Sequence, residues 1–266
     1  MHTALTTLLD RLASPAISRS NVIRWGCPVP SFGNLSSCSV ATLGLNPSNR
    51  EFVDESGNEL RGSLRRFPTL GSLGLDSWAD VDARHLGTII SSCTDYFRGN
   101  PYDRWFRKLD HVISGTRASY YSPVRSACHL DLIPYATKQK WGELTPKQRS
   151  TLFDIAGDAL GLLLRDAPVR ILVLNGSSVV RYFQEISGVE MEPRQIRSWS
   201  LPRNQGMDVK GIAYRARTTS LAGVALRQEL LVLGFNHNIQ SSFGVTREVL
   251  QAIRSWLARA SKGVTW

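Results

Sequence analysis

The chain has 266 residues, 42% of them hydrophobic and 20% charged, a balance that allows one large globular domain with a real core and excludes a disordered protein. No run approaches the roughly 20 apolar residues of a membrane span, and the opening MHTALTTLLDRLASPAISRS reads as a short amphipathic helix, not a secretory signal. Net charge is +10, from 32 Lys and Arg against 22 Asp and Glu, with a pI near 9.8; Arg forks match phosphate oxygens, so a polyanionic partner is expected.

In chain order, residues 1–36 are expected to form an N-terminal helical extension of a single domain, 1–266, because no repeat, low-complexity tract or Pro/Gly linker divides the sequence. The apolar run 38–45 predicts a buried strand, and it ends in Gly44-Leu45-Asn46-Pro47-Ser48, which fixes an Asn between a bend and a proline. A basic cluster, Arg61, Arg65 and Arg66, follows. A second cluster, Arg98, Arg104 and Arg107, overlaps a helix predicted over 102–113, ahead of a strand over 127–133. Thr145-Pro146-Lys147-Gln148 is a capping box with Pro at the first helical position, and Leu152, Ile155, Ala156 and Leu160 continue it at helical spacing. A strand over 169–174 comes next, then a third basic cluster, Arg194, Arg197 and Arg203.

The alternating GIAYRARTT suggests an additional edge strand. The run 230–235 predicts a buried strand ending in Gly234-Phe235-Asn236-His237, and a last helix over 246–260 carries Val249, Leu250, Ile253 and Leu257 on one face. Cys27, Cys38, Cys93 and Cys128 are scattered without a C-x-x-C pair, which predicts buried free thiols in a reducing cytoplasm. Short Val-, Leu- and Ile-rich runs alternating with helices predict an α/β fold, with helices on both faces of a mostly parallel sheet. Ligands of such sheets bind beyond the carboxyl ends of the strands. Those ends read Asn46-Pro47-Ser48, Asp131 to Pro134, Asn175-Gly176-Ser177 and Asn236-His237-Asn238, and three of the four are expected to converge.

Three stretches, LGLNPS, SACHLDLIPYAT and FNHNIQSS, resemble in order and spacing the motifs of the uracil-DNA glycosylase superfamily. The first is similar to its Gly-x-Asn/Asp/Glu-Pro motif, the last to its His-Pro-Ser-Pro motif, here altered to His237-Asn238-Ile239-Gln240. The resemblance runs in islands from about Val40 to Leu257. It implies a three-layer αβα domain around a mostly parallel four-stranded sheet, acting on DNA as a monomer without a metal or other cofactor.

The resemblance also implies roles. Asn46 would position a water beneath the anomeric carbon, and His237 would stabilise the anion of the leaving base through its position 2 carbonyl, with Asn236 as the alternative. Ser241, Ser242 and the start of the last helix suit a phosphate. Ile239, Gln240 or Phe243 is expected to wedge into the stack that the base leaves. The stacking platform would be Phe67 or, second, Phe52, with Arg65 and Arg66 toward the DNA backbone.

Family members strict for uracil carry a Tyr directly after the motif's Pro, where this chain has Ser48, leaving position 5 of the base open. Their uracil-matching Asn corresponds to Asp131, which as a carboxylate repels a carbonyl at position 4 and suits an amino group. If buried and protonated, it would also donate to ring nitrogen 3 of cytosine; a strand-end carboxylate paired with Arg125 is its plainer reading. Together these changes imply a 5-modified cytosine, hydroxymethylated or glucosylated, such as phage DNA carries. An ordinary uracil glycosylase of base-excision repair and a non-catalytic DNA-binding relative are the alternatives.

Overall fold

A computed structural model describes residues 1–99, 103–203, 208–240 and 244–264. Helix α1 (His2–Ala13) precedes strand β1 (Val40–Gly44); α2 (Leu70–Leu73), α3 (Ala83–Asp95) and α4 (Asp103–Ile113) lead to β2 (Ala127–Asp131). Then come α5 (Pro146–Ala156), α6 (Ala159–Leu164), β3 (Ile171–Asn175) and α7 (Ser177–Ser187), followed by β4 (Glu192–Gln195), β5 (Ile212–Leu221), β6 (Val224–Phe235) and α8 (Arg247–Ala260). The strands form one mixed sheet in the order β2-β1-β3-β6-β5-β4. Neighbours from β2 through β6 are parallel, whereas β5 runs antiparallel to β6 and β4 antiparallel to β5.

The expected α/β architecture is present, but with six strands instead of four. All of β2 and β3 is buried, as strands covered on both faces are. The alternating segment became β5, yet it is internal; the edge is β4, whose residues Glu-Pro-Arg-Gln are all exposed and carry no apolar signal. Strand β6 starts at Val224, ahead of the predicted 230, because its first half alternates in burial and only its second half is apolar throughout. Thr145 caps α5 through Gln148 N as its capping box predicts, and Thr246 caps α8. The described part of the predicted 102–113 helix is α4; Tyr102 itself lies outside the described residues.

Residues 1–36 are not an appendage. Leu5, Leu8, Leu9 and Leu12 of α1 belong to the same hydrophobic core as the strands. After a 3-10 turn at Pro15–Arg19, the chain becomes irregular and lies along the outer edge of β2. There Phe32 N donates to His129 O at 2.8 Å and His129 N donates to Phe32 O at 2.9 Å, which covers an edge that would otherwise expose unpaired backbone groups. All four cysteines are free and buried. Among the described residues no helix is long and apolar enough to cross a membrane.

Candidate functional site

The site begins with the register of two strands. Parallel pairing sets Thr42 beside His129 and Gly44 beside Asp131, and the two-residue alternation of a strand puts His129 and Asp131 on one face. The Thr42 hydroxyl lies 2.6 Å from the Tyr120 hydroxyl and 2.7 Å from His129 Nδ1. His129 Nε2 stands 3.6 Å from Asp131 Oδ1, both side chains being about 95% buried. The bare backbone of Gly44 leaves room for this pair, because a Cβ there would collide with Asp131 Oδ1 and His129 Nε2 and force them to shift.

Beyond this layer, at the carboxyl ends of β1 and β2, lies a cavity of ≈ 310 Å³, within the roughly 300–1,000 Å³ of small-molecule sites. Phe32, Trp105 and Phe106 give it aromatic walls; Asn46, Glu51, His129 and Asp131 are its polar groups, and Ser48 lines it too. Trp105 and Phe106 come from α4, whose apolar side meets His129 edge-on (ring centroids 5.5 and 5.4 Å apart). The opposite side of α4 exposes Arg104, Arg107, Lys108 and His111.

The Asn46 amide is oriented by its surroundings. Its Nδ2 donates to Thr137 Oγ1 at 2.9 Å, Pro47 O at 3.2 Å and Tyr135 O at 3.4 Å. The amide nitrogen is thereby committed to acceptors, which leaves Oδ1 as the group able to accept from a bound water or ligand. Ser48 is exposed and caps a 3-10 turn, Asn49–Glu51, its Oγ accepting from Arg50 N.

That turn swings Glu51 inward. Its carboxyl is 2% exposed, Oε1 accepts from the Tyr96 hydroxyl at 2.8 Å, and Oε2 has no hydrogen-bond partner. The Arg66 guanidinium is 3.9 Å from Oε2, too far for a hydrogen bond. Burial pushes the carboxyl up to about 7; the Tyr96 hydroxyl and Arg66 pull it down, and the Asp131 charge adds to the rise. A buried acid that titrates near neutrality inside a cleft has the character of a functional group.

Of the residues singled out from sequence, Asn46, Ser48 and Asp131 meet in this cavity. Asp131 pairs with His129 and, among the described residues, with no arginine. The other expected residues lie elsewhere. Phe67 stacks on Tyr96 (5.6 Å, 18°) and meets Phe32 edge-on, one layer behind the cavity wall. Phe52 is buried against Trp25 and the bare backbone of Gly26. Two strand ends converge at the cavity, not three: those of β3 and β6 bind each other, with Asn175 Nδ2 donating to Gln240 Oε1 and Ser177 N to Asn236 O at 3.0 Å.

Asn236 is held by β5, accepting from Ile212 N and donating to Lys210 O. His237 is buried with Nε2 donating to Trp199 O at 2.6 Å. Ile239 is likewise buried. Arg65 is half-buried, and Arg66 donates to Arg50 O beside Glu51. Ser241, Ser242 and Phe243 lie outside the described residues. Among the described residues no cluster of His, Cys, Asp and Glu is arranged to hold a metal ion.

Sequence reasoning missed Phe32, Glu51, Trp105, Phe106 and His129. His129 was accessible, since it precedes Asp131 by two strand positions and must share its face. Trp105 and Phe106 carried the signal of aromatics interleaved with arginines in RWFRK. In the comparisons with known proteins, no family model and no curated protein matches the chain.

His237→Ala is therefore expected to act on stability. Losing the donor to a buried carbonyl costs about 1–3 kcal/mol, to be seen as a lower melting temperature. Burial lowers the His237 pKa from its ordinary 6.5, against the opposing effect of the Trp199 carbonyl. Just below pH 6.5 the unfolded chain then binds more protons than the native one, and stability rises with pH through that window. Melting curves of wild type and variant between pH 5 and 8 check this: the variant should lose that part of the slope.

Proposed function

We propose that this chain is a monofunctional DNA glycosylase that hydrolyses the N-glycosidic bond of a flipped 5-modified cytosine, hydroxymethylated or glucosylated, leaving an abasic site in invading phage DNA. The observation that carries the reading is the meeting of Asn46 and Asp131, delivered by adjacent parallel strands, in one aromatic-walled cavity. We read β2-β1-β3-β6 as the four-stranded core that the resemblance to uracil-DNA glycosylases implies, with β5 and β4 added at one edge.

The chemistry needs three things. A water must be held against the anomeric carbon while the C–N bond breaks and its electron pair leaves with the base; Asn46 Oδ1, with its amide anchored behind it, can orient that water. A base outside the stack needs a platform, and Phe32, Trp105 and Phe106 supply apolar faces. The base must be recognised, and Asp131 accepts from an exocyclic amino group. Exposed Ser48 leaves room for a substituent at position 5 to pass outward, and the basic side of α4 suits the phosphate backbone. No cofactor enters the scheme, and we place the enzyme in the cytoplasm as a monomer.

Matched duplexes carrying glucosylated hydroxymethylcytosine, hydroxymethylcytosine, cytosine or uracil, cleaved by alkali after incubation, test the reading. Strand breaks at the modified cytosines are expected. Breaks at uracil alone make the protein a repair glycosylase; salt-sensitive DNA binding with every base retained makes it a non-catalytic binder. In the same assay Gly44→Ala should lose on the order of 10- to 100-fold in rate, because its Cβ displaces the Asp131 carboxylate. A Gly44→Ala enzyme with full rate would mean that Asp131 need not stand where it does.

A further inference from the structure

Glu51 is the one buried carboxyl of the cavity with an oxygen that nothing in the described structure satisfies. Asp131, the second carboxyl, has His129 Nε2 at 3.6 Å and Glu51 Oε2 has the Arg66 guanidinium at 3.9 Å, neither within hydrogen-bond distance; Glu51 Oε2 is also shut off from solvent. Two carboxyl groups in one enclosed site resist ionising together; burial and the nearby Asp131 charge favour the proton on Glu51, against the opposing pull of the Tyr96 hydroxyl and Arg66. The groups facing Glu51 are the Tyr96 hydroxyl, Arg66 and Asp131, with His129 one step away on Asp131. Tyr96 donates to Oε1, so a proton on the carboxyl resides on Oε2, as a donor with no internal acceptor.

We infer that Glu51 is a specificity-determining residue of this pocket, donating from Oε2 to the unprotonated ring nitrogen of a bound cytosine while Asp131 accepts from the neighbouring amino group. This rests on the base-binding function proposed above. A donor beside an acceptor matches the amino group and ring nitrogen 3 of cytosine, and it opposes the carbonyl and N–H that uracil presents there. Discrimination therefore needs both carboxyls in different protonation states, not Asp131 alone. Once Glu51 ionises, the pair offers two acceptors, and cytosine loses its match.

The test is equilibrium binding of the free bases cytosine, 5-hydroxymethylcytosine and uracil to wild type, Glu51→Gln and Glu51→Ala at pH 6.0 and 8.5. It is run beside single-turnover cleavage of the matching duplexes, with melting curves confirming that each variant is folded. For a group titrating at about 7, wild-type affinity for the cytosines should fall about 30-fold between these pH values, following the protonated fraction. Glu51→Gln keeps an N–H donor in place, because the Tyr96 hydroxyl holds the amide oxygen on its own side; its affinity should be independent of pH, with cytosine still preferred. Glu51→Ala should bind weakly at both.

A Glu51→Gln profile that falls like wild type, or a folded Glu51→Ala that binds cytosines as tightly as wild type, overturns the role of Glu51 while leaving the glycosylase reading standing. A wild type that neither binds nor releases any of these bases removes both.

Discussion

Replacing Asn46 with Ala is expected to slow base release by 100-fold or more while leaving DNA affinity within a few-fold of wild type. The side chain lines the cavity but spends its amide nitrogen on Thr137, Pro47 and Tyr135, so it is fixed by the protein and not by the ligand. A group held in that way contributes little to ground-state binding and much to placing a water where the anomeric carbon develops positive charge. Losing one preorganised polar group of this kind costs about 3–4 kcal/mol of transition-state stabilisation. Asn46→Asp separates orientation from basicity. The carboxylate accepts as Asn46 Oδ1 does, but it meets the Thr137 hydroxyl and two carbonyl oxygens with no N–H to offer, so rotation of the side chain is expected to offset the gain of a stronger base. Single-turnover rates on the best substrate, alongside binding to an uncleavable analogue, measure both effects. An Asn46→Ala rate equal to wild type would take Asn46 out of the chemistry and leave it as a turn residue.

The sheet was largely legible because burial on both faces writes itself as unbroken apolar runs. The first three predicted strands overlie β1, β2 and β3 with ends shifted by about two residues, the ordinary uncertainty of such boundaries. What was not legible had no apolar signature: β4, exposed along its length, and the first half of β6, exposed on alternate residues. The site divided along the same line. Asn46 and Asp131 end buried strands, so their positions followed from the fold. Glu51 looks in sequence like any surface acid, and its burial depends on a 3-10 turn after Pro47 that no periodicity encodes. Phe67 and Phe52 misled because a large aromatic reads the same whether it faces a cavity or stands one layer behind it. Phe32 supplies the wall from an irregular segment, which only long-range pairing with β2 places there.

Asp131→Asn is expected to move activity from modified cytosine toward uracil. Buried beside Gly44 and His129, the carboxylate can only accept; the amide can donate to the position 4 carbonyl of uracil and accept from its ring N–H. Leaving the polar edge of the wrong base unmatched costs roughly 1–3 kcal/mol, or about 5- to 150-fold in selectivity. The loss on cytosine should exceed the gain on uracil, for two reasons in the site itself. Exposed Ser48 leaves the cavity too open to clamp the smaller base, and Glu51 still presents its hydroxyl to the uracil ring N–H, where two donors oppose. Uracil should thus be taken best by the variant at a pH high enough for Glu51 to have ionised, when it can accept. The same substitution removes a charge that helps hold the Glu51 proton, so the pH at which cytosine activity fades should move down. Single-turnover series for wild type and Asp131→Asn on matched cytosine- and uracil-containing duplexes, from pH 5.5 to 8.5, read the selectivity ratio and the pH shift together. Parallel losses on both bases, with an unchanged ratio and an unmoved pH profile, would show that Asp131 supports the layer around His129 and recognises nothing.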